Sequence, residues 1–302
     1  MQDRLITGVA ALLVAILAAC GPSSLVSPPT NPATKSQSIT STIAPPPSPS
    51  PSPGTPTSPP TRTPVPSPTF DLVNNPIPSN LPLPLAEIEI LAPGDGARLV
   101  SPIEIATNLI TGPEGRLRIE LINEDGEILA RKVLIWNLLN AVKQRVHTTL
   151  DFEISGVAES ARLVVSVDDD YGRLRAISSV DILLLAEGPY EESPALDYLE
   201  NLVILNPSAE SVVESGSILI QGIARTHSDR PLNVQLIARD GRILASGDAY
   251  VAHPAGYDYG VFSITLSAQV TSRQWIQVAV RETGDRIPGD LHYSTLEFVL
   301  TP

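Results

Sequence analysis

The sequence predicts an all-β protein, with two tandem antiparallel β-sandwiches behind an export signal and a proline-rich segment. Three observations carry that expectation. Past Leu85, apolar and polar residues alternate in short runs such as Leu117-Arg-Ile-Glu-Leu121, a period of two that buries one face of a strand and wets the other. A stretch of about 100 residues recurs at an offset of about 114, the mark of a duplicated domain. No amphipathic helical run falls between the strand candidates, which argues against a βαβ architecture.

The chain opens with Met-Gln-Asp-Arg and an apolar run from Leu5 to Ala19. Fifteen helical residues reach only ~22 Å, short of the ~30 Å hydrocarbon core, so a signal peptide over residues 1–19 is expected instead of a spanning helix. The run ends Leu17-Ala-Ala-Cys20, with the only cysteine of the chain. These four residues resemble the lipobox of bacterial lipoproteins. The resemblance implies a diacylglycerol on the Cys20 sulfur, cleavage before Cys20 and a stable membrane anchor. An ordinary signal peptide cut after Ala19 is the alternative. Gly21 follows the cysteine and leaves the choice of membrane open. One cysteine also excludes a disulfide framework and a cysteine-based zinc site.

Residues 20–84 read as a tether. Of the 30 prolines, 20 lie between Pro22 and Pro84, and proline lacks the N–H and fixes φ, so neither helix nor sheet forms there. Polyproline II and disorder remain. A spacer is the expected role, with an O-glycosylated stalk or a ligand for a proline-binding partner as alternatives.

Two immunoglobulin-sized units follow, at 85–187 and 201–302, joined by a linker at 188–200. Ile90-Leu-Ala-Pro93 answers Ile204-Leu-Asn-Pro207, and Leu117–Ala130 answers Leu232–Ala245. Leu163-Val-Val-Ser-Val167 answers Ile276-Gln-Val-Ala-Val280, and Val180–Leu184 answers Leu296–Leu300. Asp125-Gly126 and Asp240-Gly241 stand between alternating runs, the mark of a hairpin. About seven strands per copy are expected, packed by aliphatic side chains alone.

Pro93-Gly-Asp-Gly-Ala-Arg-Leu-Val-Ser-Pro-Ile103 and the Asp-Gly hairpin resemble the immunoglobulin-like domain named from bacterial spore-germination proteins. The second copy is similar at Pro207, Val213, Ser215, Gly222-Ile-Ala224, Asp240-Gly241 and Gly260-Val-Phe262. Departures are Gly216 after Ser215, Asn108 where the second copy has Gly222, and Thr148-Thr149 in place of the Gly-x-Phe opening. The resemblance implies a non-catalytic, surface-exposed sandwich.

Chemistry is sparse. No nucleophile elbow, phosphate loop, zinc-protease helix or dinucleotide fingerprint occurs, and no motif calls for a cofactor. His147, His227, His253 and His292 are scattered and read as surface or loop residues. Asp168-Asp169-Asp170 at a hairpin tip is a weak calcium candidate, against a solvated acidic turn. Tyr250, His253, Tyr257 and Tyr259 cluster in one loop and are candidate partner contacts, against a sandwich edge covered by tyrosines. Val133–Val142, with Trp136, is almost unbroken apolar sequence and is expected to pack between the domains or to bind a partner.

The net charge of −13 argues against nucleic acid. The expected protein is a non-enzymatic binding or scaffolding lipoprotein of the cell envelope, facing outward, with an envelope protein or cell-wall polymer as partner. An accessory module of an envelope enzyme complex, or a cryptic hydrolase using the acidic turn, is the alternative.

Overall fold

The computed structural model describes residues 83–112, 114–135, 142–193, 197–253 and 258–302. The expected signal peptide, Cys20 and nearly all of the expected tether lie outside them, as do Trp136 and Tyr257.

The first copy contains β1 (Ile88–Ala92), β2 (Arg98–Val100), β3 (Ile103–Leu109), β4 (Arg116–Asn123), β5 (Ile128–Ile135), β6 (Gln144–Leu150), β7 (Ala158–Asp168) and β8 (Leu174–Leu185). The second contains β9 (Leu202–Asn206), β10 (Val212–Glu214), β11 (Gly216–Ala224), β12 (Leu232–Ala238), β13 (Ile243–Ala249), β14 (Gly260–Ala268), β15 (Gln274–Thr283) and β16 (Asp290–Thr301). Among the described residues each copy therefore has eight strands, one more than expected. The additions, β2 and β10, are three residues long, too short to show a period.

In the first copy β1-β3-β6 form one sheet and β5-β4-β7-β8 the other, with β2 parallel to β8. The second copy repeats this with β9-β11-β14 against β13-β12-β15-β16, and β10 parallel to β16. Both are immunoglobulin-like sandwiches. Inward residues alternate as the sequence requires: Leu117, Ile119 and Leu121 in β4 and Leu232, Val234 and Leu236 in β12 are fully buried. Each sandwich closes its own apolar core, mostly aliphatic as expected but with Phe152 in the first and Phe262 and Phe298 in the second. The Asp-Gly hairpins form as expected, with Gly126 and Gly241 both at φ +81°, a conformation glycine adopts without cost.

One departure between the copies has a packing cause. Gly222 pairs with Phe262 across β11 and β14, and a Cβ on Gly222 would sit 2.4 Å from the Phe262 ring. The ladders correct the expected match of Asn108: Gly222 corresponds to Thr107, since Ile90 faces Thr107 as Ile204 faces Gly222, and Thr107 stands opposite Val146, a smaller neighbour than Phe262.

The ladders also correct the repeat. Ile119 faces Val165 and Val234 faces Val280, so Val165 matches Val280 at an offset of 115. Val167 therefore matches Glu282, not Val280.

The two sandwiches share one continuous sheet, because β8 and β16 pair antiparallel at Ile177 and Tyr293. Around this seam Leu174 and Ile177 pack on Ile237, Ala279 and Tyr293. Of the segment Val133–Val142, expected to fill the domain junction or to bind a partner, residues 136–141 lie outside the described residues, and the described start of it does not lie at the junction. β5 is the outermost strand at the far end of this sheet, and its Val133 and Ile135 are exposed. The junction is built by β8 and β16, whose alternation looks like that of any half-buried strand.

The residues that lead into β1 are also engaged. Leu85 bridges Leu199, the Ala86 N–H donates to the Tyr198 carbonyl at 2.8 Å, and the Glu200 N–H donates to the Pro84 carbonyl at 2.9 Å. Leu83 packs with Ile223, Val203 and Tyr259 of the second sandwich.

Candidate functional site

A cleft of about 900 Å³ opens beside the seam. One wall comes from Ser178–Leu183 of β8 and from Ala86–Ile90; the other comes from Arg225, His227, Leu291 and His292, with Asp197–Leu199 of the linker between them.

Behind the lining residues His227 and His292, Glu282, in β15, stands opposite His292, in β16. Both are buried. The matching pair in the first copy is Val167 opposite Ala176, so the second copy has exchanged an apolar pair for a polar one at the same place in the fold. A buried carboxylate persists only with partners, and Glu282 has several. Its Oε1 accepts the backbone N–H of His227 and, at 3.1 Å, that of Ser228. Its Oε2 lies 2.9 Å from His292 Nδ1 and 3.9 Å from His227 Nδ1. Burial pushes the carboxyl toward its neutral form, but the hydrogen bonds from His227 and His292 outweigh it and hold the group down at about 2.

The protons in this network are assigned by its far end. Arg225 Nε donates to Asn201 Oδ1 at 2.8 Å, which turns the Asn201 amide nitrogen toward His292 Nε2 at 2.7 Å. His292 Nε2 must then accept, and Nδ1 carries the hydrogen that goes to Glu282. Arg225 is itself fixed by Asp197 through two contacts, and this hydrogen bonding lowers the Asp197 carboxyl. Linker, β11 end, β15 and β16 are thus joined by one chain of hydrogen bonds.

His227, Glu282 and His292 bring their ligand atoms within 4.8 Å of one another, and two imidazoles with a carboxylate are a zinc-type donor set. The outer partners oppose that use. A metal on His292 Nδ1 would need the hydrogen on Nε2 and an acceptor beyond it, and Asn201, held by Arg225, presents a donor there. As built, the triad locks a proton and not a cation.

A second carboxylate, Glu200, lies beside this network. Burial raises it, against backbone hydrogen bonds from Glu87 and Leu202. Glu87 is raised by burial as well, with Arg175 opposing.

The histidine expectation is corrected for His292, which is buried in a strand, and for its pairing with His227; the rings stand 5.1 Å apart. Tyr259 is also corrected as an exposed contact. It is 8% exposed, packs on Ile223 and donates its hydroxyl to the Glu200 carbonyl at 3.0 Å. Tyr250 is 77% exposed, and His253 is exposed with Nε2 3.2 Å from Thr226 Oγ1. The acidic turn does not assemble as a calcium cage. Asp168 faces Arg118 at 3.4 Å. Asp169 accepts the N–H groups of Tyr171 and Arg173 and holds the Arg173 guanidinium, which crosses to Glu297. Asp170 is exposed.

The fold and site define a tandem immunoglobulin-like unit with a polar cleft at its seam. No family model matches the chain, and none of the curated proteins matches it. Among solved structures, it is similar to an ICAM-5 ectodomain fragment at 13% identity, TM-score 0.22, over 70% of this chain and 53% of that one. It is similar to a Salmonella alpha-2-macroglobulin at 13% identity, TM-score 0.25, over 75% and 16%. A marsupial T cell receptor is similar at 8% identity, TM-score 0.22, over 70% and 73%. The chain spans about half the length of the ICAM-5 fragment. The fold assignment rests on strand order and register.

Proposed function

We propose that this chain is an exported, lipid-anchored, non-catalytic binding protein of the cell envelope, holding a hydroxyl-rich wall polymer in the cleft between its sandwiches. The observation that carries the reading is the cleft of about 900 Å³ with walls from both sandwiches. Of its hydrogen-bonding groups, Ser178 and Asp181 stand on β8, Asn201 is held by Arg225, and His227 sits in the loop whose backbone N–H donates to Glu282. Tyr198, 40% exposed on the rim, offers an apolar ring face to a sugar. Export and anchoring are supported by Leu17-Ala-Ala-Cys20, and a passive, surface-exposed role by the likeness of both copies to the spore-germination immunoglobulin-like domain.

The test is retention of the full chain on insoluble cell-wall glycan. Tyr198→Ser and His227→Ala should each lower retention by about fivefold or more, the effect of losing one good contact. Tyr250→Ala should leave it unchanged. Equal retention of all three variants, or capture by an envelope protein alone, overturns the polymer reading. Separately, Cys20→Ser should move the chain from the membrane to the soluble fraction.

A further inference from the structure

The contacts across the seam come in reciprocal pairs. Within each copy the ladders place Ile177 opposite Ser166 and Tyr293 opposite Arg281. With the offset of 115 between β7 and β15, Ser166 matches Arg281, so Ile177 and Tyr293 are the same position of the fold. They are also the pair that joins the two sheets. An antiparallel bridge between equivalent residues is what a twofold axis through the bridge produces.

One further pair of contacts obeys the same axis at both ends, and two more place matched residues across the seam. Ser179 Oγ donates to the Leu291 carbonyl at 2.9 Å, and its counterpart Thr295 Oγ1 donates to the carbonyl of Arg175, the counterpart of Leu291, also at 2.9 Å. Arg162 and Gln277 match, facing Ile122 and Ile237 in their ladders. Each crosses to the other copy near its last hairpin, Arg162 to the Ile287 carbonyl at 2.8 Å and Gln277 to the Leu174 carbonyl at 3.2 Å, so the donors are counterparts while the acceptors are neighbours of equivalent positions. Glu124 pairs with Arg286 at 3.3 Å, and its counterpart Arg239 lies over the Tyr171 ring at 4.6 Å.

From this reciprocity we infer that the two sandwiches meet through an isologous interface: each presents one self-complementary face, whose fitting partner is a second copy of the same domain. The chain is a twofold dimer carried on one polypeptide. A head-to-tail stack would join unlike surfaces and give none of these pairs. The residues also rank the pairings. Two first sandwiches retain Ser179 on the Arg175 carbonyl, and Arg173 meets Asp181, the counterpart of Glu297. Two second sandwiches set Arg239 against Arg286, a like-charge contact. The mixed pair, with Glu124 on Arg286, is best; the first-sandwich pair follows, and the second-sandwich pair is worst.

The experiment uses the full chain carrying Cys20→Ser and a protease site at 194–196, cut after folding and separated into halves. The mixed halves should reassociate one to one. The N-terminal half alone should sediment as a dimer, and Ile177→Cys, on the axis, should give a symmetric disulfide at least about tenfold faster than the exposed control Val157→Cys, as proximity requires. A folded N-terminal half that stays monomeric, or cross-linking no faster than the control, overturns the inference. If a half fails to fold alone, the cut but unseparated chain decides. Ser179→Ala and Thr295→Ala should weaken the association of the halves by the same factor, about fivefold each, as for one neutral hydrogen bond. Factors that differ by more than about tenfold refute the equivalence.

Discussion

At the end of β7 the first sandwich places Val167 opposite Ala176, whereas at the end of β15 the second places Glu282 opposite His292. The backbone is the same and the burial is the same. What differs is the loop above: in the first copy a Cβ on Gly112 would lie 2.7 Å from the Asp168 carbonyl, while in the second the N–H groups of His227 and Ser228 turn down onto the carboxylate. The equivalent core position is thus polar in the copy whose neighbouring donors converge on it, behind the lining of the cleft.

The largest effect that can break this comparison is loss of the carboxylate. Glu282→Ala leaves His292 and two N–H groups buried without their acceptor and should cost about 3–5 kcal/mol in denaturant unfolding. Val167→Ala, at the matching place, should cost about 1–2 kcal/mol of apolar burial. Comparable losses would mean that the polar pair is no more tightly held than the apolar one. The same group sets an acid dependence. Its folded value of about 2 lies below the ordinary 4.5, so its contribution is complete above pH 4.5 and is lost as the pH falls through about 2. Glu200, raised by burial, works in the opposite sense, favouring the fold as it takes up a proton. Glu282→Gln should flatten the decline of stability between pH 4.5 and 2.

Next in size is the pair at the seam. Arg162 is buried, with Asp181 at 2.8 Å and the Ile287 carbonyl as partners. Arg162→Ala should cost about 3 kcal/mol, and Gln277→Ala, its neutral counterpart, about 1 kcal/mol. A smaller effect sharpens the proton assignment. Asn201→Asp offers His292 Nε2 an acceptor while still receiving Arg225, and should raise zinc affinity by about tenfold or more in calorimetry, the usual weight of such an outer partner. No change would mean that Asn201 does not set the imidazole hydrogen. Smallest is the tyrosine loop: Tyr259→Phe should cost about 1 kcal/mol, and exposed Tyr250→Ala within about 0.5 kcal/mol.

Strand existence, the two copies and the Asp-Gly hairpins were legible because period-two alternation and glycine at positive φ are local signals. The candidate site was not, and the reason is specific. Val-x-Val alternation is unchanged by a slip of two residues, which keeps every side chain on its face. Matching Val167 to Val280 therefore looked as good as the true match to Glu282, and the Val-to-Glu exchange stayed hidden. Counting back from the 284–289 turn would have set Glu282 beside His292. His227 comes from a loop 55 residues earlier and is brought in only by the fold. The seam was hidden for another reason: Ile177 and Tyr293 stand where a solvated face is normal, and only the reciprocal contacts reveal that the face is covered.

Leu83 to Leu85 bind the linker and the second sandwich before the chain enters β1. Any load arriving along the preceding polypeptide must therefore peel this short clasp before it strains either core. The clasp gives way residue by residue, like a zip, while the strands behind it are pulled only after it has opened. A tug from the N-terminal side would thus be felt first at Tyr198, on the lip of the cleft, and at Glu200 beside it, with both sandwiches still intact.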